Sequence, residues 1–147
     1  MIFATIAAAA MSAAAPEGNL THHVSHDNQG RTVTAAYAGA VDIGLRQRGM
    51  AAAPGRMGTQ RCDWSATVSA TVSVTRSLPE GQATPLGSKT VLTGMRAGDC
   101  LTVASGIERD VARRSSALKD HVVTVAEADR PNLTASLAPR TSVASSD

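Results

Sequence analysis

Three of the four histidines in this chain of 147 residues stand close together near its N-terminus, as His22, His23 and His26. On a helix, His22 and His26 would lie one turn apart and could share a metal ion. On a strand they would share a face but lie about 13 Å apart, which is too far for one ion. The Asp, Asn, Gln and Gly residues at positions 27–30 favour a short strand that enters a turn. We therefore expect surface histidines near an edge strand, with no metal site and no cofactor.

An alternative hypothesis is based on the same histidines. The protein would be a secreted hydrolase or metalloprotein that uses the His22, His23 and His26 cluster with nearby carboxylates. The usual catalytic patterns are missing from the sequence, which has no Gly-x-Ser-x-Gly, no glycine-rich phosphate loop and no His-Glu-x-x-His. Positions 107–111 read Ile-Glu-Arg-Asp-Val, which offers no metal ligands of the last kind. The sequence therefore predicts no catalytic residue and favours a protein that is not an enzyme.

Four arginines lie in the sixteen-residue segment 46–61, which contains no acidic residue: Arg46, Arg48, Arg56 and Arg61. Pro54 and three glycines interrupt the segment, which is typical of a long loop. Guanidinium groups pair bidentately with carboxylates and phosphates, so this loop would suit an anionic component of a cell envelope or an acidic protein. The other interpretation is a solvated loop whose arginines only maintain solubility. No aromatic residue is interleaved for base stacking and the net charge is only +2, so we expect no nucleic-acid partner.

Cys62 and Cys100 are the only two cysteines of the chain. A metal site would need further cysteine or histidine ligands at short spacing, and neither cysteine has one. In an oxidising compartment an even pair is most simply a disulfide. The sequence therefore predicts a Cys62–Cys100 bridge, provided that the protein is exported.

The N-terminus indicates such export. Residues 1–14 contain no charged side chain, are rich in Ala and Ile, and end in small residues suited to signal peptidase. The alternative is an Ala-rich N-terminus of a cytoplasmic protein. We expect a signal peptide over residues 1–14 and one exported domain over residues 15–138, in the periplasm or outside the cell, with no membrane span in the mature chain. Residues 139–147 have almost no apolar bulk and should form a disordered tail.

Secondary-structure elements must position the candidate residues. In two stretches of the chain, apolar residues alternate with small or polar ones. Because successive side chains of a strand point to opposite faces, each stretch predicts one long, half-buried strand. If the two strands pair antiparallel, with position i of the first opposite position 107 − i of the second, all seven inward residues of one strand face the seven of the other. Val33 then faces Val74. The inward positions are Val33, Ala35, Tyr37, Gly39, Val41, Ile43 and Leu45 in the first stretch, and Cys62, Trp64, Ala66, Val68, Ala70, Val72 and Val74 in the second.

The C-terminal third of the chain changes to a helical period. One apolar stripe is formed by Ile107, Val111, Leu118, Val122, Val125, Leu133 and Leu137. We predict a helix that is capped by Ser105 and runs to about Ala128. A second helix, or a kinked continuation of the first, should start with Asp129 as its cap and Pro131 in its first turn. The alternative is a strand over residues 121–125, which are rich in β-branched residues. Ahead of these helices, residues 89–95 predict one further strand before a turn at Gly98.

These elements predict an α+β fold, in which a long antiparallel β-hairpin or a small antiparallel sheet packs against one or two C-terminal helices. Aromatic residues make up only 2% of the chain, so the core must consist of small apolar side chains between two closely packed layers. The functional expectation is a small exported binding or structural protein of the cell envelope, which presents its basic loop to an anionic partner.

Overall fold

The computed structural model describes residues 20–49, 53–55, 58–75 and 82–138. They form a four-stranded antiparallel sheet in the order β1-β2-β3-β4, followed by two helices. This arrangement confirms the predicted α+β fold, with a small antiparallel sheet packed against two C-terminal helices. The predicted signal peptide and the predicted tail lie outside the described residues. The elements are β1 (Thr21–Asn28), β2 (Arg31–Gly49), β3 (Gln60–Thr75), β4 (Thr84–Ala97), α1 (Cys100–Arg113) and α2 (Ser115–Leu137).

The two long strands direct their side chains as the alternation predicts. Every second residue of β3 from Cys62 to Val72 is buried, whereas the inward side of β2 is buried only from Val33 to Tyr37. Beyond Gly39 the inward residues of β2 become half-buried and then exposed. The opposite face of β3 carries serine and threonine hydroxyls, which suits a face in contact with water.

The helices cover the inward face of the sheet with the predicted stripe. Its buried members are Ile107, Val111, Leu118, Val122, Leu133 and Leu137, while Ala126 rather than Val125 completes the stripe. Within the sheet, a glycine faces a bulky side chain on the neighbouring strand. A Cβ atom added to Gly94 of β4 would lie 2.6 Å from the indole carbons of Trp64, so the indole ring occupies the space that any other residue would need.

The predicted register of the two long strands is wrong by two residues. Ala35, not Val33, faces Val74, and the pairs follow position 109 − i along the ladder. A shift of two residues leaves every side chain on its own face, so the alternation of apolar residues does not distinguish the two registers. The observed register places Gln47 rather than Leu45 opposite Cys62, and there Gln47 accepts a hydrogen bond from the N–H of Cys100, the first residue of α1.

The helix boundaries also differ from the prediction. Gly98 makes the turn after β4 with a φ of +114°, and Asp99 then caps α1 by accepting a hydrogen bond from the Thr102 N–H at 3.2 Å. The helix therefore begins at Cys100 rather than after Ser105. The break between the helices falls at Arg114, whose guanidinium lies 6.0 Å from the centre of the Trp64 ring. α2 runs without interruption through Asp129 and Pro131.

Candidate functional site

The loop between β2 and β3 is shorter than the predicted basic loop over residues 46–61. β2 continues to Gly49 and β3 begins at Gln60, so Arg46 and Arg48 lie on one strand and Arg61 lies on the next. All three belong to the outer face, away from the helices, because they alternate with the inward Leu45, Gln47 and Cys62. The fourth candidate, Arg56, lies outside the described residues. The three arginines of the outer face are called the arginine cluster below.

One carboxylate organises this cluster. The ladder places Arg48 directly opposite Arg61, an arrangement of like charges that is unfavourable by itself. Asp63 offsets it, because its Oδ2 lies 2.6 Å from Arg48 Nε and its Oδ1 lies 3.4 Å from Arg61 Nε. Arg46, opposite Asp63 in the ladder, makes no hydrogen bond or ion pair with any described residue. The cluster therefore holds three positive charges against one negative charge.

A cleft of about 370 Å³ opens beside the cluster, and the described residues that line it are Arg48, Gly49, Thr59, Gln60 and Arg61. Both arginine side chains are 52% exposed, so each keeps donors available to a ligand while Asp63 holds it in place. The functional groups at this cleft are guanidinium, amide and hydroxyl groups. Such a set of donors suits the binding of an anion.

The cluster is fixed to the start of α1. Cys62 and Cys100 form the predicted disulfide, with 4.9 Å between their Cα atoms. Beside it, the Cys100 N–H donates a hydrogen bond of 2.7 Å to Gln47 Oε1. This contact depends on the observed register, which brings Gln47 opposite Cys62. The strand ends that carry the arginines are thus joined to the helical layer by one covalent bond and one hydrogen bond.

The histidines lie at the other end of β2 and do not converge. His22 and His26 are on the inward face of β1 and His23 is on the outer face, as alternation along the predicted strand requires. Within the described residues, no group of three or more His, Cys, Asp or Glu side chains has an arrangement that could hold a metal ion. The hypothesis of a metalloprotein based on this cluster therefore gains no support from the geometry.

His22 does take part in a second polar site, which the sequence did not predict. It lies opposite Tyr37 in the ladder, and both line a cleft of about 220 Å³ with Glu127 and Arg130 of α2. The Tyr37 hydroxyl donates to Asp129 Oδ2 at 3.2 Å. Burial, reinforced by the charge and the hydrogen bond of Asp129, raises the pKa of Tyr37 to about 12. A phenol with so high a pKa remains a donor at neutral pH and is unsuited to act as a base.

No family model, curated protein or solved structure matches this chain. None of the described helices is long and apolar enough to cross a membrane.

Proposed function

We propose that this protein is a small, exported, non-catalytic binding protein of the cell envelope, which holds an anionic partner at its arginine cluster. The observation that carries the proposal is the pairing of Arg48 and Arg61, two like charges directly opposite each other that share the single carboxylate of Asp63. A carboxylate or phosphate group placed in the adjoining cleft would meet two guanidinium groups at once.

The electrostatic balance favours such a ligand. Asp63 neutralises one charge of three, so the outer face keeps a local excess of two positive charges in the absence of an anion. Arg46 adds a third guanidinium on the same face, two residues along the strand from Arg48. An anion that approaches this face gains attraction from all three and displaces no existing ion pair of Arg46.

Export is part of the proposal and is supported by the disulfide. Bridges of this kind persist in oxidising compartments and are rare in the cytosol. The Cys62–Cys100 bond fits the periplasm or the extracellular space and gives a reason for an export signal at residues 1–14.

Retention of the purified protein on an immobilised polyphosphate column, eluted with a sodium chloride gradient, tests the proposal. The double variant Arg48→Ala/Arg61→Ala should elute at clearly lower salt than the wild type. The matched control Arg109→Ala/Lys119→Ala removes the same charge from exposed positions on the helices and should shift elution much less.

The charge-preserving variant Arg48→Lys/Arg61→Lys separates specific recognition from general attraction. It should also elute early, because an ammonium group does not reproduce the bidentate geometry of a guanidinium. Equal shifts for the cluster variant and its control would show that net charge alone causes retention. Such a result, or the absence of retention in the wild type, contradicts the proposal.

A further inference from the structure

One edge of β2 is only partly covered by its neighbour. β1 pairs with residues 31–38 of this strand, and the last contact is the Gly39 N–H, which donates to Leu20 O at 2.9 Å. No described residue pairs with the same edge from residue 40 to residue 49. Since alternate residues of a strand direct their backbone groups to the same side, the free edge presents the N–H and C=O groups of Val41, Ile43, Leu45 and Gln47. An exposed edge of this length is a template for pairing with another strand.

The side chains along this edge are suited to an interface. On the inward side, Val41 and Ile43 are half-buried, and Leu45 is 39% exposed although it is a large apolar residue. On the outer side, Asp42 and Arg46 are both exposed, and neither forms an ion pair or hydrogen bond with a described residue. They are four residues apart on one strand, about 13 Å at ~3.3 Å per residue, so they do not neutralise each other.

We propose that this edge pairs with the same edge of a second copy of the chain, antiparallel and centred on Gly44, to give a continuous eight-stranded sheet. In this register Asp42 faces the partner's Arg46 and Arg46 faces the partner's Asp42, so the two-fold symmetry satisfies all four charges. Ile43 faces the partner's Leu45 on the inward side, and Val41 faces the partner's Gln47.

The backbone pattern agrees with this register. The four pairs that involve residues 41, 43, 45 and 47 exchange about eight hydrogen bonds, two for each pair. Gly44 faces its own copy at a non-hydrogen-bonded position, where the strands approach most closely and the absence of a side chain is an advantage. A register centred on Leu45 would instead oppose Asp42 to the partner's Arg48, which is already bound to Asp63 at 2.6 Å.

Self-complementarity is the reason for choosing a second copy over an unrelated strand. An arbitrary partner would need a positive charge opposite Asp42 and a negative charge opposite Arg46, with apolar residues between them on the other face. This chain carries that pattern itself, in the order Val-Asp-Ile-Gly-Leu-Arg-Gln at positions 41–47. The dimer goes beyond the proposed anion site. It engages Arg46 of the arginine cluster, whereas Arg48 and Arg61, which line the cleft, take no part in its charge pairs and remain available to an anion.

Sedimentation velocity of the purified protein over a range of concentrations tests the proposal. The wild type should show a monomer–dimer equilibrium. The variants Asp42→Arg and Arg46→Asp should each weaken it at least ~10-fold, since each places two like-charge contacts across the interface. An equimolar mixture of these two variants should associate again, because every contact between the unlike chains then joins opposite charges. The control variants Asp120→Arg and Lys119→Asp, at exposed neighbours on α2, should dimerise like the wild type.

Other outcomes would overturn the proposal. The dimer is contradicted if the wild type stays monomeric up to ~100 μM. It is also contradicted if the single variants dimerise as strongly as the wild type, or if their mixture does not associate. The chain enters β1 at Leu20 from the side of this free edge, so its preceding residues are the competing occupant. If the Val41 and Ile43 amides were protected from hydrogen exchange in a monomer, the edge would be paired with the residues that precede Leu20 and not with a second copy. Retention on polyphosphate is measured separately, so failure of the dimer leaves the anion site to its own test.

Discussion

Raising the pH should leave Tyr37 protonated well beyond the range in which an ordinary tyrosine ionises. Its side chain is only 1% exposed, and its hydroxyl donates to the carboxylate of Asp129. Burial is the largest cause of the shift, because partial desolvation disfavours the charged phenolate. The negative charge of Asp129 and its hydrogen bond to the neutral phenol act in the same direction.

The contribution of Tyr37 to the free energy of unfolding follows from its pKa values in the folded and unfolded states. Tyr37 rises from 10.0 to about 12 on folding, a difference of about two units. At about 1.4 kcal/mol per unit, this corresponds to at most ~3 kcal/mol of the free energy of unfolding, because Tyr37 lines a cleft and its hydroxyl is only partly shielded from water. Since the folded state has the higher pKa, the stabilisation is fully present below pH 10. It is lost progressively as the pH rises from about 10 to about 12.

The assay is direct because Tyr37 is the only tyrosine in the chain. Tyrosinate absorbance near 295 nm should titrate with a pKa near 12 in the folded protein and near 10 in urea. The variant Asp129→Asn keeps a hydrogen-bond acceptor but removes the charge, so the pKa should fall while remaining above 10, because burial persists. A pKa near 10 while the fluorescence of Trp64 is still that of the folded protein would refute the burial of Tyr37 and its contact with α2.

Two further predictions concern stability, measured by urea unfolding with the fluorescence of Trp64. The double variant Cys62→Ser/Cys100→Ser opens a loop with a sequence separation of 38 and should lose about 4 kcal/mol of the free energy of unfolding; a loss below ~1 kcal/mol would contradict the role given to the bridge. Gly94→Ala, whose new Cβ would lie 2.6 Å from the Trp64 indole, should cost about 1–3 kcal/mol. Gly49→Ala, where no described residue beyond its chain neighbours lies within 4 Å of the new Cβ, should cost little, and equal losses in both variants would exclude overpacking as the cause.

The faces of the long strands were predictable because alternation is a local property of the sequence. Ala35, Tyr37 and Val68 are buried as expected, since one side of each strand must meet the helices. Register was not predictable in the same way, because the alternative pairings place the same residues on the same faces. The choice between them depends on contacts that are distant in sequence, such as the hydrogen bond from the Cys100 N–H to Gln47.

The helix boundaries show a similar limit. Ser105 with Glu108 has the spacing of a capping box, but Asp99 follows the turn at Gly98 and caps the helix six residues earlier. No pattern in the sequence indicated a break at Arg114, whose guanidinium lies 6.0 Å from the centre of the Trp64 ring. The Tyr37–Asp129 contact joins residues 92 positions apart, and no spacing rule connects them.

The largest difference between expectation and structure is that Arg46, Arg48 and Arg61 lie on paired strands and not in a loop. This difference affects how the arginines could bind an anion. Residues 46–49 were predicted to belong to a long loop, because Pro54 and three glycines interrupt segment 46–61. The ladder with β3 nevertheless continues through residues 46–49. In a mobile loop, binding would have to order each arginine side chain at a cost of about 0.5–1.5 kcal/mol. On paired strands, Arg48 and Arg61 are already oriented by Asp63 before any ligand arrives. The strand positions therefore favour recognition of an anion by geometry as well as by charge, and for this reason lysine at the same positions should not replace arginine.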